Sequence, residues 1–183
     1  KMARQITVDA KTQKPGVCNA LETLLVHEDV AAKFLPEVAS ALALRNVELR
    51  GCRRAAEILG NAVEAASEED WETEYLDLIL AIKVVASREE AVEHINLHGS
   101  HHTDCIVTEE RTSAERFLRE VDSACVFHNL SNRFSDGEEF GFGAEIGIST
   151  DKIHARGPMA LRELTSYQYR VRGEGQLKEY QRD

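Results

Sequence analysis

The sequence predicts an α/β fold in which a mainly parallel sheet is flanked by helices. Between residues 28 and 129, strand-like apolar runs alternate with amphipathic helical segments. Residues 78–85 are nearly continuous in branched apolar side chains, as expected for a strand that is covered on both faces. Because alternating strands and helices imply βαβ crossovers, most strands should run parallel.

The first predicted elements are a helix, a strand and a second helix. Apolar residues recur at three- and four-residue intervals over residues 28–44, which predicts an amphipathic helix. Pro36 lies inside this pattern and removes a backbone donor, which allows a kink or a later helix start. A short strand at 47–50 and a short helix at 53–59 follow, each ended by a glycine. The apolar face of the first helix is predicted to carry Val30, Phe34, Leu35, Val38 and Leu42.

Two capping boxes divide the next part of the chain. Ser87 and Glu90 predict the start of a helix that ends at Gly99. Thr112 and Glu115 predict the start of another amphipathic helix. The strands predicted here are 78–85, 104–107 and 123–127.

The chain changes character beyond residue 129. It becomes rich in glycine and loses periodicity until residues 166–171, which read as a strand without a partner in its neighbourhood. Residues 173–183 form a polar tail that we expect to fray.

Composition excludes several classes of function. Acidic residues outnumber basic ones 32 to 22, and no basic stripe interleaved with aromatics is present, so we expect no nucleic-acid partner. No run approaches the roughly 20 apolar residues of a membrane span, and the first residues lack a secretory signal. We therefore expect a cytoplasmic protein without a membrane partner. Its four cysteines are scattered without a CxxC motif, which predicts reduced thiols: Cys18, Cys52, Cys105 and Cys125.

Cys18 is the candidate nucleophile. Gly16 permits an unusual turn before it, and Asn19 with Glu22 predicts the N-cap and N3 positions of a helix. A thiol at the positive end of a helix dipole favours the thiolate, and the same amides can stabilise an oxyanion. The alternative is a small buried hydrophobe, which composition alone favours. Local spacing leaves both interpretations open.

Three collinear blocks resemble the gamma-glutamyl phosphate reductases, which are members of the aldehyde dehydrogenase superfamily. The first is KTQKPGVCNALETLLVH at 11–27, around Cys18. The second runs from Val85 through HGSHHTDCI at 98–106. The third comprises RFSDG at 133–137, FGFGAEIGIST at 140–150 and HARGPM at 154–159.

The resemblance implies a reaction of proline biosynthesis. L-Glutamyl 5-phosphate would be reduced to L-glutamate 5-semialdehyde and phosphate, with NADPH as the cofactor and a thioester on Cys18 as the intermediate. The other residues that the resemblance assigns are Arg133 and Arg156 for the substrate carboxylate and Glu74 for the nicotinamide ribose. A structural salt bridge for Arg133, a loop-packing role for Arg156 and a solvated carboxylate for Glu74 remain alternatives.

The resemblance also implies a division of the chain. Residues 1–10 would end the cofactor-binding domain, 11–147 would form the catalytic domain, and 148–164 would return toward the cofactor domain. An oligomerisation strand at 165–172 would make the protein a homo-oligomer, and 173–183 would be the tail. Because the N-terminal cofactor-binding half would be missing, we expect this part alone to bind NADPH poorly and to be inactive.

Two alternatives to a reductase remain open. The chain could be a non-catalytic remnant that keeps the fold as an assembly module, or another aldehyde or acyl dehydrogenase of the superfamily. The histidines at 94, 98, 101 and 102 raise the question of a metal site. No cysteine or carboxylate set completes such a site, so we expect no metal.

Overall fold

A computed structural model describes residues 1–178 of the chain. It begins with a helix that the sequence analysis did not predict, α1 (Met2–Thr12), followed by turns up to the first strand. Ala10 and Lys11 of α1 are buried, so this helix is packed into the fold.

A four-stranded parallel sheet forms the centre of the structure. Its strands and the helices between them are β1 (Thr23–His27), α2 (Glu28–Ala43), β2 (Glu48–Gly51), α3 (Arg53–Leu59), β3 (Glu64–Ala65) and β4 (Ile79–Val85). The strand order is β1-β4-β2-β3, and each neighbouring pair is parallel. The predicted central position of residues 78–85 is therefore confirmed, since β4 lies between β1 and β2.

The main core lies between this sheet and α2. Leu35, Val38 and Leu42 of α2 pack against Leu80 and Ile82 of β4, and all five side chains are fully buried. Burial of a leucine or valine side chain contributes about 1.5–3 kcal/mol each. The helix runs through Pro36, so the predicted amphipathic segment is one helix. Its first predicted apolar residue is not in this core, because Val30 is 52% exposed.

The remaining strands form two small sheets. The elements are α4 (Arg88–His98), β5 (Thr103–Ile106), α5 (Arg111–Glu120), β6 (Cys125–His128), β7 (Gly147–Ser149) and β8 (Gly157–Met159). Strands β5 and β6 pair in parallel, and β7 and β8 pair antiparallel. Single 3₁₀ turns lie at Gly60–Ala62, Glu68–Trp71 and Asn132–Phe134. The mainly parallel α/β class is thus confirmed.

One predicted cap is confirmed and one is wrong. The Ser87 hydroxyl accepts from the Glu90 amide at 3.0 Å and begins α4, which ends at Gly99. Helix α5 instead begins two residues earlier than the Thr112 box predicts, because Glu110 is its N-cap and the Glu110 carboxylate accepts from two amides of the helix. A carboxylate near the positive helix end is a stronger acceptor than a hydroxyl, which explains the earlier start.

The C-terminal segment forms no strand within the described residues. Residues 165–172 are exposed and carry no sheet pairing there, so their role in oligomerisation stays a prediction. The last five residues of the predicted tail, 179–183, lie outside the described part. No helix within residues 1–178 is long and apolar enough to cross a membrane.

Candidate functional site

Cys18 lies in an exposed turn between α1 and β1. The predicted helix beginning at Asn19 is wrong. Residues 15–20 form turns, and the chain then enters β1 at Thr23. The thiol therefore lacks the helix dipole that the sequence analysis assigned to it.

The two side chains that predicted this helix have other partners. The Asn19 amide donates to the Ser135 carbonyl at 2.9 Å, where both residues are buried, and this bond ties the cysteine turn to residues that follow β6. Glu22 turns toward α1 and pairs with Lys11. Long-range partners outcompete a local cap here because they satisfy groups that are buried.

Lys11 and Glu22 form an ion pair, with the lysine fully buried, beside the cysteine turn. The Lys11 ammonium lies 2.7 Å from the Glu22 carboxylate, and the lysine side chain is 0% exposed. Burial lowers the pKa of Lys11 and raises the pKa of Glu22, while their mutual contact opposes both shifts. The Glu22 carboxylate also accepts from the backbone amides of Tyr75 and Leu76. The pair therefore fixes the turn that enters β4.

Tyr75 is held from three sides. Its hydroxyl donates to the Asp70 carboxylate at 2.6 Å, and its ring lies 5.2 Å from the Arg50 guanidinium and 5.9 Å from the Lys11 ammonium. Arg50 also donates to Asp70 at 2.9 Å. Burial and the hydrogen bond to Asp70 raise the pKa of Tyr75. These contacts make the turn rigid next to Glu74.

The structure brings Glu74 to the cysteine turn. Leu76 adopts a left-handed backbone conformation with φ of 54°, and its carbonyl faces Gly16, two residues before Cys18. The exposed Glu74 carboxylate is close enough to raise the pKa of the Cys18 thiol. Its predicted role toward a cofactor stays a prediction.

Arg133 also faces the cysteine turn. Its guanidinium donates to the Gln13 side chain at 2.8 Å, and its positive charge acts to lower the pKa of Cys18. The preceding Ser131 is anchored to Asp9 at 2.6 Å. The 3₁₀ turn that carries Arg133 is thus fixed to α1, and no acidic side chain neutralises the arginine within the described residues.

The net effect of the surroundings is to raise the pKa of the Cys18 thiol. Partial burial of the thiol is the largest cause, although the residue as a whole is exposed, and the carboxylates of Glu145 and Glu74 add to it. Backbone hydrogen bonding and Arg133 act in the opposite direction but do not prevail. The described chain by itself therefore favours the protonated thiol.

Glu145 is the site residue that the sequence analysis missed. Its carboxylate accepts from the Gly137 amide at 3.0 Å and closes the glycine-rich loop. A Cβ on residue 137 would lie 2.4 Å from the Ala144 carbonyl, so this approach requires glycine. The glycine-rich sequence also contains Glu138 and Glu139, so it does not single out Glu145, and only the folded loop shows that Glu145 acts on Cys18.

Arg156 lies elsewhere. Its guanidinium donates to the Asp122 carboxylate at 2.7 Å and to the Thr150 carbonyl at 3.0 Å. Asp122 precedes β6, whereas Arg133 follows it, so the two arginines lie near opposite ends of this strand. The structure does not bring Arg156 together with Cys18. Its contacts favour the loop-packing alternative, and its binding role stays a prediction.

The histidines that raised the question of a metal site have other surroundings. Within residues 1–178, no group of three or more histidine, cysteine or acidic side chains is arranged to hold a metal ion. His94 is buried, contacts the Lys83 ammonium at 3.0 Å and packs edge-on against Trp71. Burial first, and then the charge of Lys83, lowers the pKa of His94 to about 4. The side chain is therefore a neutral core residue at neutral pH.

Comparison with known proteins identifies close relatives. No family model matches the chain. Gamma-glutamyl phosphate reductase of Francisella philomiragia is 60% identical over 176 residues, which cover 96% of this chain and 42% of the relative. The enzyme of the same name from Ligilactobacillus salivarius is 55% identical over 97% of this chain and 43% of its own length.

Solved structures agree with these relatives. Gamma-glutamyl phosphate reductase of Thermotoga maritima superimposes with a TM-score of 0.93 at 52% identity, over 97% of this chain and 43% of that one. An acetylating aldehyde dehydrogenase of Geobacillus thermoglucosidasius shares the fold, with a TM-score of 0.59 at 19% identity over 94% of this chain and 49% of that one. By sequence and fold the chain belongs to the gamma-glutamyl phosphate reductases, and it spans about 42% of the length of the relatives it matches.

Proposed function

We propose that this chain supplies the nucleophile of a reductase that converts L-glutamyl 5-phosphate to L-glutamate 5-semialdehyde and phosphate in proline biosynthesis. The observation that carries the proposal is the convergence of three charged side chains on an exposed thiol. The cation Arg133 and the carboxylates of Glu74 and Glu145 all act on Cys18. An assembly module has no need of this arrangement.

The proposed first step belongs to Cys18. Its thiolate attacks the acyl carbon, the bond from that carbon to the phosphate oxygen breaks, and phosphate leaves, so that a thioester remains. The surroundings raise the pKa of the Cys18 thiol, so the thiol is mainly protonated before the reaction. Its proton must therefore pass to a base or to solvent when the thiolate forms. An anionic substrate beside Glu74 and Glu145 needs a cation, and the positive charge of Arg133 acts on the thiol.

The proposed cofactor is NADPH, which would supply, when bound, the hydride for reduction of the thioester carbon. One described residue fits this cofactor. The exposed Glu74 carboxylate can accept hydrogen bonds from the two hydroxyls of a ribose. The rigid turn held by Glu22 and Tyr75 keeps that carboxylate in place. Cys18 would hold the acyl group until that reduction and would leave as the thiolate when the semialdehyde is released.

In the proposal, the complete reaction requires a cofactor-binding half and contacts with another subunit in addition to the catalytic domain. We assign residues 11–147 to the catalytic domain and the exposed segment 165–172 to contacts with another subunit in a cytoplasmic homo-oligomer. Tyr167, Tyr169 and Val171 expose 84%, 81% and 91% of their surface, which supports a role in contacts. On this proposal the chain forms the thioester, and its reduction requires the cofactor-binding half.

Acylation of Cys18 tests the proposal without that half. L-Glutamyl 5-phosphate is generated in situ by a glutamate kinase with ATP, and the intact mass of the chain is measured. We expect one added glutamyl group on the peptide that contains Cys18. The group should be removed by hydroxylamine, which cleaves thioesters.

Matched cysteine variants separate the outcomes. Cys18→Ala should abolish the mass shift, whereas Cys105→Ala should retain it, since Cys105 is half-buried and its pKa is raised by burial. Equal labelling of both cysteines, or none at Cys18, contradicts the proposal. Acylation by other acyl phosphates at the same rate would favour a broader acyl dehydrogenase.

A further inference from the structure

We propose that Glu145 binds the α-ammonium group of the substrate and makes the site selective for acyl phosphates that carry one. This role rests on the proposed function, since it names the part of that substrate which the site selects. L-Glutamyl 5-phosphate carries an α-ammonium and an α-carboxylate on one carbon, in addition to its acyl phosphate. The head of the substrate is therefore a zwitterion, and a site that recognises it needs one charge of each sign.

Hydrogen bonds hold Glu145 close to the cysteine turn. The Asn19 side chain of this turn donates to the Ser135 carbonyl at 2.9 Å, and both residues are buried. Further along the same loop, the Gly137 amide donates to the Glu145 carboxylate at 3.0 Å. The Gly137 carbonyl accepts from the Phe142 amide at 2.8 Å, so both backbone groups of this glycine close the loop. These contacts form one path that links the Glu145 carboxylate to the cysteine turn.

The same loop carries the opposite charge. Arg133 lies on the loop that Glu145 closes, and its Nε donates to the Gln13 side chain at 2.8 Å. Its Nη1 and Nη2 have no acceptor among the described residues, and the Glu145 Oε1 has no donor there. Neither side chain forms an ion pair within the described part of the chain. A cation and a carboxylate with unused hydrogen-bonding groups are therefore available to one ligand.

Both charges act at the nucleophile. Glu145 raises the pKa of the Cys18 thiol, and Arg133 acts to lower it. In L-glutamyl 5-phosphate, a short chain of carbon–carbon bonds keeps the α-carbon and its charged groups within about 5 Å of the acyl carbon that Cys18 attacks. Groups whose charges act on the sulfur are therefore within reach of the head of a substrate that is bound for attack.

Glu145 fits the ammonium group better than Glu74, the other carboxylate that acts on Cys18. Glu74 lies on the turn before β4, whereas Glu145 is bonded to the loop of Arg133. The carboxylate and the guanidinium are thus fixed on one loop, just as the two charges of the substrate head are fixed on one carbon. Glu145 also raises the pKa of Cys18 more than Glu74 does. This division leaves Glu74 for the ribose hydroxyls of the proposed cofactor.

Protection of Cys18 from alkylation tests this role without acylation of the thiol. L-Glutamate and glutarate are dicarboxylates of equal chain length that differ in the α-ammonium group alone. Each is titrated against the rate at which iodoacetamide alkylates Cys18, measured by peptide mass. We expect L-glutamate to give half-protection at a roughly 10- to 100-fold lower concentration than glutarate, because glutarate cannot form the charge-assisted hydrogen bond to Glu145.

A pair of matched variants assigns the preference to Glu145. Glu145→Gln keeps an acceptor for the Gly137 amide, so the loop stays closed, but it removes the charge and should abolish the preference for L-glutamate. It should also speed alkylation of the unprotected thiol, because the carboxylate that raises the pKa of Cys18 is gone. Glu139→Gln makes the same change of charge at an exposed position of the same loop and should retain the preference.

The acylation reaction separates recognition of the substrate head from a structural role of Glu145. Acetyl phosphate lacks the head group, so Glu145→Gln should slow acylation of Cys18 by L-glutamyl 5-phosphate relative to acetyl phosphate, by roughly 10-fold or more. Equal slowing with both acyl phosphates would show that Glu145 acts only through the loop, and would overturn the proposal.

The protection measurements can overturn the proposal independently. Equal protection by L-glutamate and glutarate, or no protection by L-glutamate, would do so. An unchanged preference in the Glu145→Gln variant, or its loss in Glu139→Gln, would do so as well. A preference for L-glutamate that depends on Glu145, without any acylation of Cys18, would instead contradict the proposed reaction and support this role of Glu145.

Discussion

Two ion pairs in this chain have similar nitrogen–oxygen distances, but one is buried and the other is exposed to solvent. The Lys11–Glu22 contact is 2.7 Å and involves a fully buried lysine, whereas the Lys152–Asp122 contact is 2.6 Å between side chains that are 63% and 45% exposed. The first supports the turn beside Cys18, and the second joins the C-terminal segment to the start of β6. The distance within an ion pair therefore does not show which pair holds the structure around Cys18 in place.

Burial gives the difference its energetic meaning. Removing one partner of a buried pair leaves a charge that water cannot solvate, which costs about 3–5 kcal/mol. An exposed pair is weakened by solvent and salt and contributes little. The comparison predicts that the two groups should respond very differently to neutralisation.

Glu22→Gln should have the largest effect. The variant leaves the Lys11 ammonium buried without a counter-charge, so we expect a loss of about 3–5 kcal/mol in the free energy of unfolding, measured with urea. Leu76 should also lose order, because its amide donates to the Glu22 carboxylate. The double variant Lys11→Met with Glu22→Gln removes the unpaired charge and should recover part of the loss. Equal losses in the single and double variants would contradict this account.

His94 tests burial without an opposite charge. Its pKa of about 4 in the folded protein lies below the ordinary 6.5, so the unfolded chain takes up a proton first as the pH falls. The contribution of neutral His94 is complete above pH 6.5 and is lost as the pH falls toward 4, by roughly 3 kcal/mol. Urea unfolding at pH 7 and pH 4.5 measures it. His94→Gln should flatten this pH dependence, whereas the exposed His154→Gln should not.

The same contrast between local and long-range partners explains what the sequence could predict. The centre of the sheet was predictable because residues 78–85 carry their own signal, a long apolar run. Helix α3 was predictable because Gly60 ends it with φ of 57°. These features depend on neighbours within a few residues.

The surroundings of Cys18 were not predictable for the opposite reason. Asn19 and Glu22 match a capping pattern, but their partners are Ser135, 116 residues away, and Lys11 in a helix before the turn. Glu145 reaches the site through a loop closed onto Gly137. The family resemblance predicts Cys18 as the nucleophile, whereas the raised pKa of its thiol follows from burial and tertiary contacts that the sequence does not reveal.

Asp122→Asn should have the smallest effect and completes the comparison. Lys152 and Arg156 lower the pKa of this carboxyl to about 2, yet the group is exposed to solvent. Because its folded pKa lies below the ordinary value of 3.8, its contribution to stability is present above pH 4 and is lost as the pH falls toward 2.

At pH 7 we therefore expect Asp122→Asn to lose little stability, far less than Glu22→Gln. The loss should shrink further in 0.5 M salt, where the Debye length is only about 4 Å. Thermal unfolding of both variants at low and high salt measures this, and alkylation of Cys18 should proceed at the parental rate, since Asp122 lies at the other end of β6 from Arg133. A large loss, or a changed rate at Cys18, would show that the exposed group supports the site after all.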